Sequence, residues 1–230
     1  MKTSKIALII YFNCCAFAII SYVFRLEGLM LFTIPLIIPA LFFYYFAEIK
    51  KIKIIICLFL LSNFFLNALV LMDFENELYY MIPSFFVSNL LIIIVMIKNL
   101  EKFKLNFLNI TSLIIIGAFL SYILLIFLEI FSIEESNLKI LVAIFGSQLL
   151  ILPLLASFNI IWKINISNLF LMMCASCILV SDIFYVIFNF QNQLLVIDTI
   201  YFSCQLFSYF FFIKYVLVRE QNKKNHLKYE

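Results

Sequence analysis

Asp182 is a carboxylate in a long uncharged run. The nearest charge before it is Lys163 and the nearest after it is Asp198. A carboxylate at such a place sits in a bilayer or a protein core, at a cost of about 2.5–3.5 kcal/mol on membrane-insertion scales, and is a functional-site candidate by default. A carboxyl group that keeps its proton there is a proton donor, the residue type that acid catalysis requires. The following hydrophobic stretch carries Asp198, Tyr201, Gln205 and Tyr209. Their spacing of i, i+3, i+7 and i+11 puts all four on one face of a helix. The competing explanation for such residues is interhelical hydrogen bonding, worth about 0.6 kcal/mol per pair on average. That explanation suits Asn63, Asn67, Ser84, Ser88 and Asn89 well, but it does not require a carboxylate at 182.

The elements that position these groups are long apolar segments. A membrane-spanning helix needs about 20 mostly apolar residues, and eight such stretches are present: 6–24, 29–47, 54–72, 78–97, 108–128, 140–162, 166–190 and 194–217. The separators are short and polar and leave no room for a soluble domain. The fold class is therefore all-α, a polytopic membrane bundle of eight transmembrane helices. Residues 1–218 form one transmembrane domain and 219–230 a short basic tail. Pro35, Pro39, Pro83 and Pro153 fall inside segments and predict kinks.

Lys and Arg alternate between the two sides. Lys2, Lys5, Lys50, Lys51, Lys53, Lys98, Lys102, Lys104, Lys163, Arg219, Lys223, Lys224 and Lys228 fall on one side, with only Arg25 and Lys139 on the other. By the positive-inside rule both termini are expected in the cytoplasm. The expected location is an integral, multi-pass membrane protein, in a bacterium the inner membrane.

Composition agrees. The chain is 66% hydrophobic and 13% charged, against roughly 45–50% and about 25% for soluble domains. With three Gly and four Pro in 230 residues, little interrupts the apolar runs, and the short alternating segments of a membrane β-barrel are missing. The single His226 lies in the polar tail, which excludes a His–Ser pair, an HExxH zinc site and a pair of haem-ligating histidines within the membrane. All six Cys lie in apolar segments, where the small-hydrophobe role is expected. No metal and no cofactor is expected. The basic tail suits anionic headgroups, and no nucleic-acid partner is expected.

At 1.5 Å rise per residue, Asp182 lies about 12 Å from the outer end of its helix, Tyr201 about 10 Å, Asn67 about 8 Å, and Asn89 and Gln205 about 16 Å. All belong to the third, fourth, seventh and eighth segments, so one polar cavity in the outer half of the bilayer is expected. Asp198, nearer the surface, reads as a solvated helix end.

The C-terminal run from Met172 through Ser181-Asp182, then Phe190, then Tyr201-Phe202-Ser203-Cys204-Gln205-Leu206, resembles the close of the YhhN-like (lysoplasmalogenase) family of integral membrane proteins. That pattern reads approximately G-x-x-x-F-x-x-S-D, an aromatic, then Y-x-x-A-Q-x-L. The chain departs from it elsewhere. The family's Lys-Pro falls on Ile34-Pro35, its Gly-Asp on Leu66-Asn67 and its His on Asn89. The resemblance implies hydrolysis of the vinyl ether bond of lysoplasmalogens, giving a fatty aldehyde and a glycerophospho-base, with a lysophospholipid-type lipid as partner. For that chemistry Asp182 would be the acid, Asn67 could position water but not take a proton, and Asp198 would substitute as the base. Ser181, Asn89, Tyr201 and Gln205 would line the substrate site. A non-catalytic membrane protein that binds lipid or a partner remains open, as does a small transporter.

Overall fold

The computed structural model describes residues 3–49, 52–72, 77–100, 106–130, 136–190 and 194–226. They form eight helices: α1 (Thr3–Val23), α2 (Glu27–Ile49), α3 (Ile54–Met72), α4 (Glu77–Lys98), α5 (Phe107–Ile130), α6 (Ser136–Trp162), α7 (Ile166–Phe190) and α8 (Leu195–His226). In hydrocarbon every backbone N–H and C=O must be satisfied within the segment, which leaves the helix as the form open to an apolar run of this length. All eight are long and apolar enough to span a membrane. The chain is a multi-pass integral membrane protein. The helices continue through Pro35, Pro39, Pro83 and Pro153 without interruption.

Six helices close a ring in the order α2, α3, α4, α6, α7, α8, with α8 returning to α2. Helix α1 lies over the seam between α2 and α8, and α5 leans on α6 from outside. The outer position of α5 shows in its burial: 6% of its central window is buried, against 44–50% for α2, α4, α6, α7 and α8. The closest packing is between α7 and α8. Small residues permit it. Cys174 and Ala175 on α7 have no exposure, and small side chains at a helix interface let backbones approach.

The α6–α7 and α1–α2 turns are fixed locally. Asn165 is the N-cap of α7. Its Oδ1 accepts from the Asn168 backbone N–H at 2.7 Å and from the Ser167 hydroxyl at 2.7 Å. The Asn168 side-chain amide donates to the carbonyls of Asn159 (2.8 Å) and Lys163 (2.9 Å) at the end of α6. After α1, Leu26 N–H bonds the Ser21 carbonyl at 2.9 Å and Arg25 N–H the Tyr22 carbonyl at 3.3 Å. That is a Schellman closure with Arg25 in the left-handed position, at φ 52°.

Helix α8 runs on to His226, nine residues beyond the segment expected from hydropathy. Residues 219–226 of the expected separate tail thus continue the last helix. Two contacts hold this extension. Lys53 pairs with Glu220 at 2.5 Å, and the Arg219 guanidinium donates to the Asn99 carbonyl at the end of α4.

Candidate functional site

Helix α7 buries a stripe that includes Leu171, Cys174, Ala175, Ile178, Ser181, Asp182, Tyr185 and Val186. The steps of three and four residues follow the helical repeat. Asp182 therefore faces the ring interior because it occupies a core position of an otherwise apolar stripe. The facing stripe of α8 is Asp198, Tyr201, Phe202, Gln205, Leu206, Ser208 and Tyr209. Ser181 joins the two helices, its hydroxyl donating to the Tyr201 carbonyl at 3.1 Å.

The two stripes meet α3 and α4 around an internal cavity of about 20 Å³, room for about one water molecule. Its polar lining is Asn63 of α3, Ser88 and Asn89 of α4, Ser181 and Asp182 of α7, and Gln205, Ser208 and Tyr209 of α8. Phe59, Phe85, Ile92 and Ile178 complete the wall. Asp182 is the carboxylate among them and is 2% exposed. The Asn89 side chain lines the cavity beside it, while Asp182 Oδ2 has no hydrogen-bond partner among the described residues. Both polar atoms of the Gln205 side chain are likewise buried without partners, although the Tyr209 hydroxyl is adjacent.

The polar residues on α3 are partly self-satisfied. Asn63 Nδ2 donates to Ser88 Oγ at 2.8 Å and to the Phe59 carbonyl at 2.7 Å, and Ser88 Oγ lies 3.1 Å from Asn63 Oδ1. This pair is interhelical glue between α3 and α4. Asn67 lies outside the cavity lining, one helical turn from Asn63. Its Oδ1 accepts a long 3.5 Å bond from Tyr209, and its Nδ2 is buried without a partner. Tyr201 also stands beside the cavity, its ring 5.0 Å from that of Tyr185 and its hydroxyl buried without a partner. Three unpartnered buried atoms thus belong to residues that line the cavity: Asp182 Oδ2 and both Gln205 atoms. Native interiors rarely leave such groups unmatched, and a cluster of them marks a place for water or ligand.

Of the residues singled out in the sequence, Asp182, Ser181, Asn89 and Gln205 line one cavity, and Asn67 and Tyr201 adjoin it. Asp198 does not reach it. It is 9% exposed rather than a solvated helix end, and it accepts a 2.7 Å hydrogen bond from the Tyr22 hydroxyl of α1. The reason is that α1 overlies the start of α8 and brings Tyr22, stacked on Phe202 at 4.7 Å, onto the carboxylate. Tyr22 was not legible as a partner, because nothing in the spacing relates positions 176 residues apart. Ser208 also escaped notice. Its i+3 spacing from Gln205 was the available signal.

Among the described residues no group of three or more His, Cys, Asp or Glu could hold a metal ion. Fold and site together define a multi-pass membrane protein with a carboxyl group held at a small polar cavity inside its helix ring. No family model matches the chain, and neither a curated protein nor a solved structure matches it.

Proposed function

We propose that the chain is a membrane-embedded hydrolase of lysophospholipid-type vinyl ethers in which Asp182 is the acid. The observation that carries this reading is Asp182 Oδ2, a buried carboxyl oxygen uncommitted to any protein group beside a water-sized cavity. The chemistry suits one carboxyl. Its proton goes to the β-carbon of the vinyl ether, leaving an oxocarbenium ion and a carboxylate. Water adds to the α-carbon and returns a proton to that carboxylate. The resulting hemiacetal breaks its C–O bond to the glycerol oxygen, releasing aldehyde and alcohol. Acid and base are the same residue in succession, so an amide at Asn67 and the remote position of Asp198 do not interrupt the cycle. Asn89, Gln205 and Asn67 supply amides for orienting water.

The cavity admits water and not a lipid. The reading therefore requires α3 and α4 to separate from α7 and α8 when substrate enters. The backbones of these two helix pairs stand apart, with side chains such as Phe59, Tyr209 and Phe212 filling the space between. The small size of the cavity is also what favours the second reading, a non-catalytic protein in which Asp182 is structural. The experiment is release of fatty aldehyde from a lysoplasmalogen by the purified protein in detergent, beside Asp182→Asn. Release by the wild type that disappears in a folded Asp182→Asn supports the hydrolase. A folded wild type that releases none transfers the case to the second reading.

A further inference from the structure

About 32 Å along α8 from Asp198, at 1.5 Å per residue, Arg219 stands at the other end of the ring. There the backbones of α3 and α4 again stand back from α8, leaving a groove of about 760 Å³. Among the described residues its mouth carries Lys53, Lys98, Arg219 and Glu220, three cations to one anion. Its depth is apolar, walled by Leu58, Leu91, Ile94 and Val216. Lys53 and Lys98 lie at the ends of α3 and α4, level with Arg219 and Glu220 on α8, and Leu58, Leu91 and Ile94 lie a turn or more into the spans, so polarity changes with depth as it does along a lipid molecule.

The Arg219 guanidinium is only partly used. One terminal nitrogen donates to the Asn99 carbonyl and the other reaches the Tyr215 hydroxyl at 3.5 Å, while Nε is buried without a partner. Guanidinium is well matched to phosphate, and Arg219 lines the groove together with Lys98. Glu220 pairs with Lys53 at 2.5 Å, and among the described residues Lys98 and Arg219 form no ion pair.

We infer that this groove binds one anionic phospholipid of the bilayer, its phosphate held by Lys98 and Arg219 and an acyl chain laid along Leu58, Leu91 and Ile94. Basic pockets between membrane helices hold anionic headgroups in this way. The site is separate from the Asp182 cavity and does not depend on the hydrolase reading.

The test is native mass spectrometry of the whole protein released from nanodiscs made of equal phosphatidylglycerol and phosphatidylcholine. The wild type retains phosphatidylglycerol in preference to phosphatidylcholine. Lys98→Gln, an exposed change, lowers that preference about fivefold, and Glu220→Gln, which frees Lys53, raises it by a similar factor. Equal retention of the two lipids by the wild type overturns the site. So does a preference that moves with neither substitution in proteins whose melting shows them folded. Displacement of the lipid by inorganic phosphate alone would show a phosphate site without a lipid chain, and also overturns it.

Discussion

Tyr22, near the end of α1, donates a 2.7 Å hydrogen bond to Asp198 in the first turn of α8. The bond links the outer helix to the ring. Hydrogen bonds to charged groups contribute about 1.5–3 kcal/mol in water-soluble proteins, whereas those in membranes average about 0.6. A site at the membrane edge falls between, at about 1 kcal/mol. Tyr22→Phe is expected to lower the melting temperature in detergent by about 2–4 °C, the shift that 1 kcal/mol produces at this chain length. Asp198→Asn should lower it less, since the amide oxygen still accepts. Because Asp198 is engaged here and not at the cavity, Asp198→Asn should leave aldehyde release intact. A loss of release comparable to that of Asp182→Asn would restore Asp198 as a base.

Arg25 offers a case where a substitution should stabilise. It occupies the left-handed position of the closure after α1, at φ 52°. A side chain there costs about 1–2 kcal/mol that glycine avoids. Arg25 also acts electrostatically on Asp198, and glycine gives that up. Arg25 is exposed, and solvent screening holds the loss to at most about 1 kcal/mol. Arg25→Gly should therefore raise the melting temperature slightly, and more so at high salt, where the lost attraction is screened in the parent as well. A melting temperature that falls at every salt concentration would mean that the charge outweighs the backbone strain.

The eight helices were legible because apolar runs of membrane length must become helices. Residues 54–72 and 166–190 were bounded to the residue. Hydropathy stops where the bilayer stops, so it could not follow α8 past Leu217 to His226. That stretch is held by Lys53 and by the Asn99 carbonyl, partners far away in the sequence. Helical periodicity similarly placed Asp198, Tyr201, Gln205 and Tyr209 on one face, and all four are buried. It could not tell that Asn63 would be satisfied by Ser88 while Asn67, one turn on, keeps a free amide. Nor could it place α5 outside the ring, since α5 is as apolar as its neighbours. Those outcomes are set by helix-to-helix pairing, which no single segment encodes.

The cap of half-buried Asn165 should matter to both α6 and α7. Asn165 Oδ1 accepts from Asn168 N–H, and Asn168 in turn closes the end of α6 through two carbonyls. N-cap Asn→Ala changes cost about 1 kcal/mol, so Asn165→Ala should lower the melting temperature by about 2–4 °C. Asn165→Asp keeps the acceptor and should remain near wild type. If Asn165→Asp melts as low as Asn165→Ala, the side chain acts by something other than accepting from the helix N-terminus.

Gln205 separates a working site from idle packing. Its two side-chain polar atoms are buried and without protein partners beside Asp182. A cavity of about 20 Å³ holds about one water, which the two Gln205 atoms share with Asp182 Oδ2. An unsatisfied buried group costs about 1–3 kcal/mol, and replacing it by an apolar group of similar shape removes that cost. Gln205→Met should therefore raise the melting temperature by a few degrees while reducing aldehyde release, because the lost amide no longer orients water next to Asp182. Stability gained at the expense of activity is the expected signature of a polar group kept for function. A variant that is more stable and equally active would remove Gln205 from the site. A variant that is less stable would show that the amide is already satisfied by bound water, and the cavity would then count as part of the fold.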